Sequence, residues 1–234
     1  MARVTLAELY NGGAVLLAEV PRLDWETLSA AVGDEVATGN RLAALAGRPV
    51  GDGLEVLAVL VRPEQGCLAA GRAVVGDRFC SLTAACPQAH WFERELAEQW
   101  GVVPEGHPWL KPLRFHRSYR PGHDAWGRAD DAPILPCVTD FFRVEGEEVH
   151  EVAVGPVHAG VIEPGHFRFS CHGERVMHLE IALGYQHRGV ERALVGGPDR
   201  RSVHLAETLA GDTTIGHTTA FSQLVEGLSG CQAP

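Results

Sequence analysis

Three short apolar runs separated by turn-forming residues constrain the first half of this chain more than any other feature. Residues 54–62, 67–75 and 79–84 each have the length and composition of a β-strand, and Pro-Glu-Gln-Gly and Gly-Asp stand between them. Runs of this length joined by such short turns usually pair as antiparallel neighbours. The sequence therefore predicts an antiparallel meander.

Helical patterns stand on either side of the predicted meander. Residues 27–45 are rich in Ala and Leu and predict one helix, and residues 90–100 predict another. In the second, Trp91, Phe92 and Leu96 fall at helical spacing, so we expect them to pack on the sheet. Together these elements predict an α+β fold with an antiparallel sheet.

The composition and hydrophobic pattern of the sequence divide the chain into three regions. Residues 1–115 form the predicted α+β domain, and residues 116–148, which begin with a stretch rich in Pro, Gly and Asp, form a linker or a wrapped extension. Residues 149–234 form a second domain, with a β-hairpin part followed by a helical part. Its predicted strands are residues 149–161, 166–171 and 175–181, and its predicted helices are residues 186–194, 201–209 and 217–228.

Charge and composition exclude several classes of protein. The 234 residues include 20 basic and 30 acidic side chains, a net charge of −10, which disfavours binding to the phosphates of nucleic acid. No run approaches the roughly 20 apolar residues that span a bilayer, and the N-terminus has no signal-peptide pattern. No CxxC pair and no GxGxxG dinucleotide loop occurs. We expect a cytoplasmic protein.

Six of the 12 histidines lie between residues 150 and 187. No HxH, HExxH or i,i+4 pair occurs among them, so ordinary hydrogen-bonded histidines are favoured over a metal site. A histidine-rich metal enzyme remains a third, weaker alternative that would need three ligands within metal distance. The six are His150, His158, His166, His172, His178 and His187.

Three polar clusters hold the candidate chemistry: residues 155–169, 185–192 and 211–217. In the first, Glu163 stands beside a Pro-Gly turn and close to two histidines, an arrangement suited to proton relay. Each cluster also has an ordinary structural interpretation. These are a hairpin with common turn residues, a solvated helix start, and a helix cap formed by Asp212 or Thr214.

Three segments contain these clusters: GPVHAGVIEPGHFRF, LEIALGYQHRGVERAL and LAETLAGDTTIGHTTAFSQLVE. In this order they resemble the large subunit of group 4 membrane-bound nickel–iron hydrogenases and the related D-type subunit of respiratory complex I. Upstream, FERELAEQWGVVPEGHPWLKPL resembles the C-type subunit of complex I. A C-type domain fused before a D-type domain is the arrangement of formate-hydrogenlyase-type large subunits. The residues that match the C-type pattern are Glu93, Arg94, Glu95, Gly101, Gly106, His107 and Pro108.

The chain departs from the hydrogenase pattern at its metal ligands. Ala210 and Thr213 stand where the family has its first CxxC pair, and neither offers a thiolate. The family's second pair would lie beyond Pro234. The resemblance therefore implies that no nickel or iron is bound and that the chain is a fragment or a truncated large-subunit domain, with apolar helix faces left uncovered.

The resemblance assigns roles within the first cluster. His158 matches the first histidine of the complex I quinone cavity, whereas Ile162 replaces the second. Glu163 matches the glutamate of the hydrogenase proton relay. A chain that keeps the hydrogenase-like glutamate but lacks the nickel ligands resembles the corresponding subunit of the energy-converting hydrogenase-related complexes.

The resemblance implies an oxidoreductase subunit of NADH:quinone oxidoreductase or hydrogenase type, active only within a complex, on the inner face of the cell membrane. Its partners would be an iron–sulfur small subunit and membrane subunits, with no nucleic acid. It would bind no cofactor itself, although a quinone would fit the family, and NAD is bound elsewhere in such complexes. The alternative is a non-catalytic scaffold remnant of a hydrogenase. Glu163 and His158 would be catalytic, framed by His166, Arg168, His187, Arg188 and Glu191, with Asp212 and His217 at the vacated metal site.

Overall fold

A computed structural model describes residues 4–135 and 139–231 of the chain, and its fold is α+β, as predicted. The helices are α1 (Trp25–Ala37), α2 (His90–Trp100), α3 (Val190–Ala193), α4 (Ser202–Glu207) and α5 (Thr214–Ser229). The strands are β1 (Ala7–Leu9), β2 (Arg22–Leu23), β3 (Arg41–Val50), β4 (Gly53–Arg62), β5 (Cys67–Val75), β6 (Arg78–Cys80), β7 (Val103–Glu105), β8 (Val149–Val154), β9 (His166–His172) and β10 (Arg175–Ala182). Among the described residues, no helix has both the length and the apolar character that a bilayer span requires.

The larger sheet has the strand order β1-β5-β4-β3, and β2 pairs with β5 as well. Short turns join β3, β4 and β5 into a meander. Two of its strands, β4 and β5, are strands of the predicted meander, whereas β3 is not. β1 adds to its edge in antiparallel register, with Ala7 opposite Ala70. A Cβ placed on Gly71 of β5 would come within 2.9 Å of Leu6 and Leu28, which shows how closely α1 and the first strand approach the sheet.

The prediction of a helix through residue 45 was wrong at its C-terminal end. Asp24 caps α1 by accepting a hydrogen bond from the Thr27 amide at 2.7 Å, but the helix ends at Ala37 and Gly39 has a φ of +95°. The following residues form β3 instead. Leu42 and Leu45 have helical spacing, yet pairing with β4 decides their conformation.

The prediction that residues 79–84 complete the meander was also wrong. Only Arg78–Cys80 forms a strand, β6, and it pairs in parallel with β7 in a separate two-stranded sheet. Residue 79 lies opposite Pro104 in that pair. The spacing of apolar residues indicates a strand but does not indicate which strand it pairs with.

The helix predicted over residues 90–100 is confirmed as α2. It ends at Gly101, whose φ of +69° is the left-handed conformation that glycine adopts without strain. Leu96 is fully buried, as expected, whereas Trp91 is 42% exposed. The inward face of α2 is therefore not the apolar stripe that the spacing indicated.

A second antiparallel sheet has the order β10-β9-β8. Phe169 of its central strand lies opposite Val152 on one side and Leu179 on the other. The first strand ends at Val154, so residues 155–161, which were predicted to continue it, form a loop instead. All three C-terminal helices are present. α3 and α4 are shorter than predicted, and α5 begins three residues earlier.

The contacts group the described residues into two compact units. One comprises the described parts of Met1–Ala43, Leu57–Arg72 and Arg188–Pro234, and the other comprises the described parts of Ala44–Val56 and Ala73–His187. Residues 116–135, in the second unit, form no helix or strand. They contact the C-terminal end of α2, since the Tyr119 amide donates to the Gln99 carbonyl at 2.7 Å. The division into domains at residues 115 and 148 stays a prediction.

Candidate functional site

Charged side chains line the buried face of α2. Glu93 is fully buried, and its carboxylate accepts hydrogen bonds from the hydroxyls of Ser81 and Thr83, at 2.5 and 2.6 Å, and from the amides of Leu82 and Thr83. Burying a carboxylate is unfavourable unless donors replace its water. Glu93 is therefore a structural anchor that holds the turn after β6.

Arg94 and Glu98, one and five residues after Glu93, hold the segment that follows β7. The Arg94 guanidinium donates to the carbonyls of Lys111 and Pro112 at 2.7 and 2.9 Å, and burial lowers its pKa to about 10. The Glu98 carboxylate accepts from three successive amides, those of residues 113–115. Arg94, which matches the C-type pattern, and Glu98, which is not among the matching residues, thus fix residues 111–115 against the helix.

His107 is locked in one tautomer at the start of that segment. The Trp109 amide donates to its Nδ1 at 3.0 Å, so Nε2 carries the proton and donates to the His90 carbonyl at 3.1 Å. Burial lowers the pKa of both His107 and His90, and the charge of Arg94 lowers both further, although the His90 carbonyl and Glu93 act in the opposite direction on His107. His107 is thus a neutral structural residue rather than a proton donor.

The first polar cluster forms a closed loop, residues 155–165, which we call the GPVH loop. The Gly165 amide donates to the Pro156 carbonyl at 3.1 Å, and His158 Nε2 donates to the Gly165 carbonyl at 2.8 Å. Gly155 has a φ of +86°, and a Cβ there would come within 2.2 Å of the Gly165 oxygen. The loop can therefore close only because residue 155 is a glycine.

His158 and Glu163 lie on the same cavity, of about 340 Å³, in the GPVH loop. Because a carbonyl only accepts, Nε2 of His158 is protonated and Nδ1 is the basic nitrogen of the neutral ring. Glu163 is exposed. The rest of the wall includes Gln186, which was not among the predicted site residues although it belongs to the second cluster, and the aliphatic side chains of Val157, Val161 and Ile162.

His166 and Arg168 lie on β9, beyond the loop, and are not on that cavity. The His166 ring is 5.3 Å from the ring of Phe141. The Arg168 guanidinium lies over the same phenylalanine at 4.8 Å and forms a salt bridge of 3.2 Å with Glu151 of β8. Both residues thus contact the chain that leads into β8.

Residues of the second cluster have separate environments. The His187 ring stacks on His116 at 5.1 Å, and His116 in turn stacks on Tyr119 at 4.8 Å. Arg188 donates to the Thr208 carbonyl, and Glu191 is exposed on α3. The stack includes His116, which belongs to none of the three predicted clusters and carries no motif that would single it out.

The third cluster surrounds the start of α5. Asp212 is exposed in the turn before the helix, and His217 is half-buried in the first turn. Neither Asp212 nor Thr214 caps α5, which begins after Thr213 without a side-chain cap. Ala210 and Thr213, which the resemblance predicts to stand in place of the thiolates, offer a methyl group and a hydroxyl, and neither is the soft ligand that holds nickel or iron.

The structure describes the loop residues and the third cluster in different units, so their convergence on one pocket stays a prediction. Within residues 4–135 and 139–231, no three His, Cys, Asp or Glu side chains are grouped as a metal site. The alternative of a histidine-rich metal enzyme therefore has no candidate ligand set in that part of the chain.

One face of the β8–β10 sheet is apolar and half-exposed. Two rows cross its three strands, Val152–Phe169–Leu179 and Val154–Phe167–Ile181. The side chains on the two outer strands of the first row are about 40% exposed, and the GPVH loop that follows Val154 exposes Val157 and Val161 by 74% and 83%. Apolar surface of this extent is typical of an interaction surface.

Comparison with known proteins matches the first half of the chain to one family. Residues 18–126 match the family described as respiratory-chain NADH dehydrogenase, 30 kDa subunit. Formate hydrogenlyase subunit 5 of Escherichia coli K12 is 31% identical over 163 residues, which cover 66% of this chain and 29% of that protein. Hydrogenase-4 component G of the same strain is 30% identical over 166 residues, which cover 67% of this chain and 30% of that protein.

A third relative belongs to the NADH-quinone oxidoreductases. The NADH-quinone oxidoreductase C/D protein of Methylococcus capsulatus is 27% identical over 134 residues, 48% of this chain and 23% of that protein. These matches support the complex I and group 4 hydrogenase family. The chain spans about 30% of the length of the first two relatives. Relatives of both kinds are named as subunits or components.

Proposed function

We propose that this chain is a peripheral-arm subunit of a membrane-associated electron-transfer complex of NADH:quinone oxidoreductase or hydrogenase type. In this proposal the GPVH loop frames a quinone- or proton-handling cavity beside an iron–sulfur subunit. The observation that carries the proposal is that His158, Glu163 and three aliphatic side chains line one cavity. Both residues have proton-transfer chemistry, and the aliphatic wall suits an apolar ring.

The loop geometry supports the role of His158 as a proton acceptor. Its Nε2–H is fixed on the Gly165 carbonyl, so the proton to be exchanged is at Nδ1. Glu163 is exposed, so its carboxylate is accessible to a partner protein that covers the loop.

The proposed partners follow from the apolar surface. Val157 and Val161 of the loop and the apolar face of the β8–β10 sheet would be covered by an iron–sulfur small subunit, while membrane subunits would hold the complex on the inner face of the cell membrane. The chain would bind no metal of its own, because Ala210 and Thr213 offer no thiolate. It would act as an oxidoreductase only within the assembled complex.

We also propose that the chain is a fusion of a C-type and a D-type domain, as in formate-hydrogenlyase-type large subunits. We further propose that it belongs with the energy-converting hydrogenase-related complexes. The replaced thiolates and the retained Glu163 support them.

A second candidate function is a scaffold remnant of a hydrogenase large subunit. The observation in its favour is that Glu163 and Asp212 are both exposed, as surface residues without a chemical role would be. A scaffold would keep its partner contacts and lose any dependence of turnover on Glu163.

A charge placed on the loop tests the proposed interface. Val161→Glu should prevent the tagged chain from copurifying with the iron–sulfur subunit when the complex is purified from cells, because burial of an unpaired carboxylate is strongly unfavourable. Val195→Glu is the matched control, since Val195 is 82% exposed outside the loop. Equal recovery of the iron–sulfur subunit with both variants would refute the interface.

A further inference from the structure

An apolar groove of about 760 Å³ runs along the outer face of α1, away from the GPVH loop in sequence and in a different unit. Most of its lining comes from α1, from Glu26 to the C-terminal end of the helix, and includes the small side chains of Ala30 and Ala31. The rest of the lining includes Val4 and Leu6, just before β1. The opposite side of α1 faces the sheet through buried side chains, so the groove belongs to the solvent side of the helix.

A carboxylate lies in the middle of this apolar surface. Asp34 is exposed and lines the groove. At 3.6 residues per turn it follows Ala30 and Ala31 by one turn and precedes Ala37 and Thr38 by one turn. An exposed acid with alanine on both sides along the helix gives the groove one defined negative point.

The other acids of the groove do not compete with Asp34. Glu35 is buried, and its carboxylate is paired with Arg62 at 2.6 Å and accepts from Asn40 at 2.7 Å. Glu26 lies at the N-terminal end of the groove. The electrostatic character of the accessible surface is therefore acidic, with its centre at Asp34.

We propose that this groove docks an amphipathic helix of a partner protein, with an arginine or lysine of that helix on Asp34. The 13 residues of α1 give the groove a length of about 20 Å, which suits a helix of similar length. The small side chains of Ala30 and Ala31 on α1 allow two helix axes to approach closely. A second copy of this chain is disfavoured as the occupant, because it presents the same acidic groove and carries a net charge of −10.

Binding of a designed peptide tests the proposal. The probe is a fluorescein-labelled amphipathic helix of about 15 residues, the length at which isolated helices become stable, with leucine on one face and arginine on the other. We expect fluorescence anisotropy to show saturable binding of the arginine peptide to the full chain. A matched peptide with glutamate in place of arginine should not bind, since it would oppose Asp34.

Variants locate the peptide on the groove. Asp34→Asn should weaken binding by about tenfold, the usual contribution of a charge-assisted hydrogen bond, whereas Glu64→Gln, an exposed acid in the turn between β4 and β5, should leave it unchanged. Ala31→Trp should abolish binding by filling the groove. Ala30→Trp, at an exposed position, should also abolish binding and should leave the free energy of unfolding unchanged.

Three results of the peptide experiment would overturn the proposal. These are no binding of the arginine peptide, equal binding of the glutamate peptide, and binding that both tryptophan variants leave unchanged. A dimer of the chain in light scattering, dissociated by Ala30→Trp, would make a second copy the occupant and would also contradict it. The iron–sulfur subunit should copurify normally with every one of these variants, so this test is separate from that of the GPVH loop.

Discussion

The only lysine of the chain forms an ion pair with a buried glutamate: Lys111 Nζ lies 2.6 Å from Oε1 of Glu180. Lys111 belongs to the segment that Arg94 and Glu98 hold on α2, and Glu180 lies in β10. The lysine also donates to the Asp140 carbonyl, and the Phe142 amide donates to the other oxygen of Glu180. This pair therefore ties residues 107–115 to the β8–β10 sheet.

Breaking this pair should destabilise the protein. The Glu180 side chain is 3% exposed, so Lys111→Met would leave a buried carboxylate without its cation, and we expect a loss of about 3 kcal/mol in the free energy of unfolding. The control is Arg78→Met, which removes an exposed pair with Glu105 and should cost less than about 1 kcal/mol. Urea unfolding measures both losses. Equal losses would show that the Lys111–Glu180 pair stabilises the fold no more than an exposed ion pair does.

Gly101 should tolerate a side chain far less well than another glycine of similar φ. A Cβ on Gly101 would lie 2.5 Å from the carbonyl carbon of His123, whereas a Cβ on Gly122, whose φ is +74°, would meet open space. Gly122→Ala should lose about 1–2 kcal/mol from the left-handed conformation alone. Gly101→Ala should lose at least about 2 kcal/mol more in thermal or urea unfolding, and similar losses would mean that residues 122–123 move away readily.

The stability of the chain should fall as the pH falls below the ordinary pKa of histidine. Because folding lowers the pKa of His107, the unfolded chain binds more protons in this range. The contribution is therefore present above about pH 6.5 and is lost as the pH falls through the lower pKa of the folded state. His90 has a shift of the same sign.

His107→Gln should flatten this dependence when urea unfolding is compared at about pH 7 and about pH 5. His204→Gln is the control, since His204 is exposed on α4, and it should leave the dependence as in the wild type. A wild-type slope in His107→Gln would assign the acid sensitivity to other groups.

Local patterns in the sequence were sufficient to predict single elements of the fold. The helix at residues 90–100 and the strand at residues 67–75 are predicted to the residue, because each is bounded by strong turn or capping signals. Non-local pairing was not predictable from these patterns. Residues 41–45 were predicted to be helical but belong to β3, which pairs with β4. Residues 78–80 form β6, which pairs with β7 instead of completing the meander.

The site residues stay predictions, but the proximity of two of them follows from their place in the sequence. His158 and Glu163 lie on one cavity because both belong to a short loop that closes on itself. The inward direction of Glu93 and Glu98 on α2 was not predictable from hydrophobic spacing, since charged residues at those positions normally indicate a solvated face. Their partners are backbone amides that only the folded chain presents.

We propose that Glu163 handles protons in the assembled complex, and the proton-coupled turnover of the purified complex that contains Glu163→Gln measures this directly. Turnover should fall by about 10²–10⁴-fold, the usual contribution of one acid–base group, with unchanged assembly. Glu174→Gln, which changes an exposed glutamate in the turn between β9 and β10, should retain full turnover. Turnover of Glu163→Gln within about twofold of wild type, far below that range, would refute a proton-handling role and favour the scaffold.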